Sequence, residues 1–281
     1  MRSLQRTKMI TTTVLLVALC AACSGDATPE ATDGAAGVEA AAPGIEIEYI
    51  AHASFLLRAP DGTELLIDPY ASQVWLGYDW PKSVEPDAIL VTHPHYDHDA
   101  GRYREIPFPW GPEIPVMDSP GVQSFGEFTV TGVEGKHADP CGMEFGQLNT
   151  LMVIEAAGLR IAHLGDNGPL TPEMVAGLGR VDALMMPGDG AWHILSQETT
   201  QEIIETLQPK IVIPMHYRLG DLEVEADSPS DLGDVEPWLE GREGIERVGG
   251  HVTTLRAGEL PAEQTFLVFE HTPYVTRPGG N

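Results

Sequence analysis

VTHPHYDHDAG, residues 91–101, places three histidines and two aspartates between His93 and Asp99. The whole chain has ten histidines, and a solvated loop has no use for three of them in one short turn. A site for more than one metal ion does, because imidazole and carboxylate are the side chains that hold borderline and hard divalent ions. The apolar run DAILVTH enters this stretch as a strand. In extended backbone, side chains at i and i+2 point the same way, so His93 and His95 can grip one ion together. Asp97 and His98 fall where the chain turns toward a helix, which aims them at a second position a few ångströms away.

Working outward, the other metal-competent side chains follow the same rule. His137 follows VTGVEGK, Asp166 follows RIAHLG and His216 follows KIVIPM. Each stands at the C-terminal end of an apolar strand, where α/β sheets build sites because the strand is rigid and the loop beyond is open. His137 is expected to complete the shell of the first ion and His216 that of the second, with Asp166 bridging the two. Zinc suits this donor set first, with manganese or iron as alternatives.

The remaining pattern supports one α/β domain. IEIEYI, SFLLRA and ELLID read as short strands, with Asp61-Gly62 as a hairpin turn. FGEFTVTGVEGKH reads as one or two strands, and LNTLMVIEAAGLRIAHLGD as a hairpin turning near Ala157-Gly158. Thr171-Pro172 and Ser196 are helix starts. VDALMMPGDG and KIVIPMHY are apolar strands, and HVTTLRA and QTFLVFEH close the chain. Residues 102–120 read as Pro-rich and irregular. Residues 221–246, with ten acids against Arg242 alone, read as an irregular solvated surface.

THPHYDH matches the H-x-H-x-D-H signature of the metallo-β-lactamase superfamily, and the later His, Asp and His arrive in that superfamily's order. IAHLGDNG and IVIPMHY resemble the branch of ascorbate-6-phosphate lactonase-like zinc hydrolases. The resemblance covers nearly all of 45–281, from IAHASFLL and LLIDPY through PMHY. It implies a four-layer αββα sandwich with a dinuclear centre between the sheets. It assigns His93, His95 and His137 to one metal and Asp97, His98 and His216 to the other, with Asp166 shared. His52 and Asp68 match family positions near the site. Asp68 either orients a ligand imidazole or forms an Asp-Pro turn. His193 and Tyr217 are placed to reach substrate, whereas His163, inside a strand, reads as structural.

The N-terminus has its own organisation. Basic MRSLQRTK and the apolar run MITTTVLLVALCAA precede Cys23, a run too short to span a bilayer and suited to a signal peptide. Ala21-Ala22-Cys23 resembles a lipoprotein processing site, which makes Cys23 the expected lipidated first residue, although Cys20 stands where an aliphatic residue is usual. An ordinary secreted protein is the alternative. Residues 1–22 are therefore read as signal, 23–44 as a disordered tether rich in Ala, Gly, Pro and acid, and 45–281 as the hydrolase domain. The expected location is exported and anchored to the cell envelope, or periplasmic.

The net charge is −26; without Arg2, Arg6 and Lys8 it becomes 13 − 42 = −29. That field repels nucleic acid and anionic membrane surfaces, leaving a small-molecule substrate and a membrane association through the anchor alone. Of three cysteines, Cys20 leaves with the signal and Cys23 is the anchor, so Cys141 has no disulfide partner. The expected chemistry is hydrolysis of an ester or lactone, with a metal-bound hydroxide as nucleophile and Asp97 or Asp166 taking its proton. A phosphodiesterase or phospholipase is the alternative enzyme, and a tethered metal-binding protein without turnover is the non-enzymatic alternative.

Overall fold

The computed structural model describes residues 42–71, 75–81, 83–101, 113–138, 147–219, 231–269 and 272–274. In chain order its strands are β1 (Ile45–Ala51), β2 (Ser54–Arg58), β3 (Glu64–Ile67), β4 (Ala88–Leu90), β5 (Val116–Met117), β6 (Gly121–Phe125), β7 (Phe128–Lys136), β8 (Leu148–Ala156), β9 (Leu159–His163), β10 (Ala183–Pro187), β11 (Ile211–Met215), β12 (Ile245–Arg247), β13 (Val252–Leu255) and β14 (Thr265–Val268). Three helices interrupt them: α1 (Pro172–Leu178), α2 (Gln197–Leu207) and α3 (Glu236–Leu239).

The strands form two sheets. One has the order β13-β1-β2-β3-β4-β5, the other β12-β14-β11-β10-β9-β8-β7-β6. In each, an antiparallel part made of hairpins passes into a parallel part. The parallel pairs β9/β10 and β10/β11 need crossover connections, and α1 and α2 supply them. Every residue of β10 and β11 is buried, the pattern of strands covered on both faces. The expected αββα sandwich is thus met in its two sheets, and among the described residues the helices all belong to the eight-stranded one.

Local chemistry explains the element ends. Thr171 Oγ1 accepts from Met174 N–H at 3.3 Å, and Ser196 Oγ accepts from Thr199 N–H at 3.1 Å, so α1 and α2 each begin on a capping oxygen. Gly177 lets α1 press on β7: a Cβ there would lie 2.7 Å from Val133 Cγ1.

Two irregular readings need correction. Val116 and Met117 pair with β4 as edge strand β5; two residues are too few to show periodicity. The acidic stretch is also only partly a solvated surface. Residues 221–230 lie outside the described residues, but the rest contains α3 and β12, and Trp238 is 1% exposed. Arg242 lies over the Trp238 ring at 4.1 Å. Acids dominated the composition there and masked a few apolar anchors that reach the core.

Candidate metal centre

Three contacts join the sheets where the site forms. His216 N–H donates to His52 O at 3.0 Å, and Thr150 N–H donates to Thr92 O at 2.7 Å. His163 Nε2–H donates to Ala53 O at 2.9 Å while its Nδ1 accepts from Gly165 N–H at 3.1 Å. Both nitrogens of His163 are satisfied in protein, so its role is structural, as the sequence suggested. Gly165 has φ +54°, and a Cβ there would lie 2.5 Å from Asn149 Oδ1 and 2.6 Å from Thr92 Oγ1. Only glycine lets the chain turn past both into Asp166.

Between these seams the predicted side chains converge in three overlapping groups whose ligand atoms lie within 4.8 Å of one another: His93, His95 and His137; His52, Asp97, His98 and His216; and His93, His98 and Asp166. The first pair is brought together by a turn rather than by extended backbone, since residues 92–98 lie outside any strand. Ring centroids of His93, His95 and His137 stand 4.6–4.7 Å apart.

Asp166 joins the groups. Its Oδ2 lies 3.2 Å from His216 Nε2, 3.5 Å from His137 Nε2 and 3.8 Å from His93 Nε2, and its Oδ1 lies 3.3 Å from His98 Nε2. Asp97 Oδ2 lies 3.1 Å from His52 Nε2, 3.5 Å from His98 Nε2 and 3.6 Å from His216 Nε2.

Proton bookkeeping identifies which nitrogens carry lone pairs. Thr92 Oγ1 spends its one hydrogen on Asp68 Oδ2 at 2.7 Å, so it must accept from His93 Nδ1–H at 3.0 Å. That leaves His93 Nε2 bare. His137 Nδ1–H donates to Ala138 O, leaving its Nε2 bare. His98 Nδ1–H donates to Asp68 Oδ2 at 2.7 Å, again freeing Nε2. The Nε2 atoms of His98, His137 and His216 and Oδ1 of Asp166 are buried without a hydrogen-bond partner. The carboxylate is near enough to attract these imidazoles, but the geometry is not aligned for hydrogen bonds. Buried polar atoms left unpaired are costly. Here they point at one another across a gap that a cation would fill, so the residues fit divalent metal ions.

Electrostatics agree. Burial alone would lift Asp97 and Asp166, but the imidazoles of His98, His216 and His52 around the first, and of His216, His98 and His137 around the second, hold both carboxyls well below the usual range. Burial also opposes charge on His216, yet Asp166 and Asp97 push it up to about 9, and with Asp68 they raise His98. Burial and then neighbouring His216 lower His52 to about 3, and burial and His98 lower His93. The carboxylates thus demand a cation among the imidazoles, which protons supply when a metal does not.

The backbone is strained here as well. Of seven non-glycine residues with positive φ among the described residues, five are in or beside the site: His52, Asp68, Trp75, Trp192 and His216. Each such conformation costs about 1–3 kcal/mol and persists where surrounding contacts over-determine it. Asp68 is fixed by Thr92 N–H at 2.8 Å as well as by Thr92 Oγ1 and His98, so it orients imidazoles and also shapes a turn.

His193 reaches the site. Its ring stacks 5.9 Å from that of His216, and its Nδ1 lies 3.0 Å from Asp231 Oδ2. Its turn is held by Asp189, whose carboxylate accepts from the N–H groups of Ala191, His193 and Gly233. Tyr217 does not reach it. Although it follows His216 directly, the positive φ of His216 swings the chain so that Tyr217 is buried and its hydroxyl donates to Phe269 O. Sequence reading missed Thr92, Asp189, Gln147, whose Oε1 lies 3.1 Å from His95 Nε2, and Trp75, whose ring lies 6.0 Å from that of His52. Thr92 had the one available signal, its place directly before His93. Cys23 and Cys141 lie outside the described residues.

Residues 46–216, which contain all three of the His/Asp groups, match the family described as Beta-lactamase superfamily domain. The chain belongs to that superfamily. Similar proteins include a UPF0173 metal-dependent hydrolase of Koribacter versatilis, 28% identical over an alignment of 217 residues that covers 67% of this chain and 90% of that protein. Another from Archaeoglobus fulgidus is 27% identical over 210 residues, covering 67% and 89%. A crystal structure from Thermotoga maritima, assigned as a zinc-dependent hydrolase of the metallo-beta-lactamase superfamily, is 25% identical with a TM-score of 0.57 and covers 80% of this chain and 98% of that one. A metal-dependent hydrolase from Parabacteroides distasonis, 17% identical with a TM-score of 0.50 over 71% and 90% of the two chains, shares the fold. This superfamily protein is a metal-dependent hydrolase, and its clustered imidazoles and carboxylates are suited to binding divalent metal.

Proposed function

We propose that the protein is a dinuclear hydrolase that cleaves an ester- or lactone-type bond of a small molecule. One observation carries this reading: a single buried carboxylate, Asp166, faces imidazoles of both groups at once. His93, His95 and His137 would hold one ion, and Asp97, His98 and His216 the other, with Asp166 between them. Zinc suits the donors best, with manganese or iron as alternatives. Bound there, the ions would acidify a water molecule and polarise the bond it attacks.

The chain's own residues divide the remaining work. Imidazoles face both oxygens of Asp166 but meet Asp97 through Oδ2, so Asp97 is the carboxylate assigned to take the water's proton. His52, neutral and hydrogen-bonded to Asp97 at 3.1 Å, steadies that carboxylate. Asp68 and Thr92 keep protons off the nitrogens that face the ions, and His193 offers a partly exposed ring to the substrate. The acidic surface disfavours polyanions, which supports a small-molecule substrate. We further infer export and lipidation at Cys23, on the strength of the N-terminal segment.

The test is direct. Protein loaded with two equivalents of zinc is assayed on lactones, aryl esters and bis-nitrophenyl phosphate, beside an Asp97→Ala, His98→Ala double variant. Lactone or ester turnover well above the variant supports the proposal. Preference for the phosphodiester moves the assignment to the alternative enzyme, and rates equal to the variant's leave only a metal binder.

A further inference from the structure

We propose that Gln147 is the positioning residue that sets the proton of His95 and so selects the atom His95 offers to the first ion. This rests on the two-ion reading above. Among the three imidazoles of that group, His93 and His137 are fixed by their own neighbours, Thr92 Oγ1 and Ala138 O. His95 is different, because its proton has a candidate acceptor at each nitrogen. Nδ1 lies 3.1 Å from His93 Nε2, and Nε2 lies 3.1 Å from Gln147 Oε1.

The two neutral tautomers of His95 have opposite consequences. With the proton on Nδ1, the ring donates to the bare His93 Nε2. The His93 lone pair is then spent on that bond, and the lone pair of His95, on Nε2, faces Gln147 Oε1 instead of the ion. With the proton on Nε2, the ring donates to Gln147, and Nδ1 stands bare beside His93 Nε2 and His137 Nε2. An amide oxygen can only accept, so the Gln147 carbonyl favours the second form.

Gln147 acts on a second ligand as well. Its main-chain carbonyl accepts from His137 N–H at 3.1 Å, so one residue holds two of the three imidazoles in place. Its amide Nε2 is buried without a partner. An unpaired buried donor costs about 1–3 kcal/mol, and the fold carries that cost beside the site while the carbonyl arm faces His95. Outer contacts of this kind govern metal affinity even though they touch no ion.

The test compares metal-stripped wild type with Gln147→Met, which keeps length but removes the acceptor, and Gln147→Glu, which keeps an acceptor. Zinc binding is followed by competition with a chromophoric chelator. The methionine variant is expected to lose about 10–100-fold in affinity at one site with the other site unchanged, and glutamate to restore it. Urea unfolding of the stripped proteins checks that the fold is intact. Independently, imidazole nitrogen NMR of zinc-loaded wild type should show the His95 proton on Nε2. A methionine variant that binds both ions like wild type, or a proton on His95 Nδ1, overturns the proposal. A wild type that takes up only one ion, with the His95 proton on Nε2, sinks the two-ion reading and leaves the role of Gln147 standing.

Discussion

Asp68 Oδ2 lies 2.7 Å from His98 Nδ1, and neither side chain has any exposure to solvent. The same oxygen accepts from Thr92 Oγ1, which in turn fixes His93. One buried carboxylate therefore sets the proton positions of an imidazole in each group. Asp68→Asn should weaken zinc binding by about 10–100-fold, because an amide oxygen is a poorer partner for the imidazole and its NH2 opposes Thr92 N–H or Oγ1–H. Calorimetric zinc titration of the stripped variant measures this, and affinity equal to wild type would show that Asp68 serves only its turn.

Removing metal should make stability fall with rising pH. His216 has a folded pKa of about 9 against 6.5 in the unfolded chain, and His98 is raised too. Groups raised in the folded state contribute stability that is complete below about 6.5 and lost as pH rises toward 9. Asp97 and Asp166 are lowered, so their contribution is complete above about 4 and is lost at more acid pH. His52, lowered to about 3, and His93, also lowered, make stability fall as pH drops below about 6.5, so urea unfolding of chelated protein should show its maximum near pH 6.5. Zinc affinity should run the other way and strengthen with pH, because protons must leave before metal enters. Equal stability of the stripped protein at pH 6 and pH 9 would contradict the raised imidazoles.

Gly165→Ala should destabilise the protein by about 1–3 kcal/mol or more. The substitution combines φ +54° with contacts of 2.5 and 2.6 Å to Asn149 and Thr92, and Asn149 holds the turn that delivers Asp166. Zinc affinity should drop in parallel. A denaturation midpoint unchanged from wild type would mean the turn has room that the packing does not show.

Cys23→Ser should release the protein from membranes into the soluble fraction. Fractionation of cells expressing both forms reads this out, and unchanged membrane association would remove the lipid anchor from the proposed function.

Much of the fold was legible because its signals are local. Thr171 and Ser196 cap their helices through side chains three residues from the N–H groups they bind. The hairpin at Ala157-Gly158 follows from chain chirality and glycine's freedom at positive φ. The two sheets' strands announced themselves as apolar runs bounded by turn residues. Where apolar signal was short or diluted, as in β5 and α3, the elements went unread.

The sequence by itself determined which side chains can bind metal and that they stand at strand ends, since residue type and strand periodicity are properties of the chain alone. Tertiary structure decided what each of them faces. That Asp166 serves both groups, that His95 leans on Gln147 fifty-two positions away, and that Tyr217 turns into the core beside Phe269 all depend on how two sheets close on each other. Hydrogen-bond partners and lone-pair directions are set by distance and angle in space, and neither quantity is encoded in spacing along the chain.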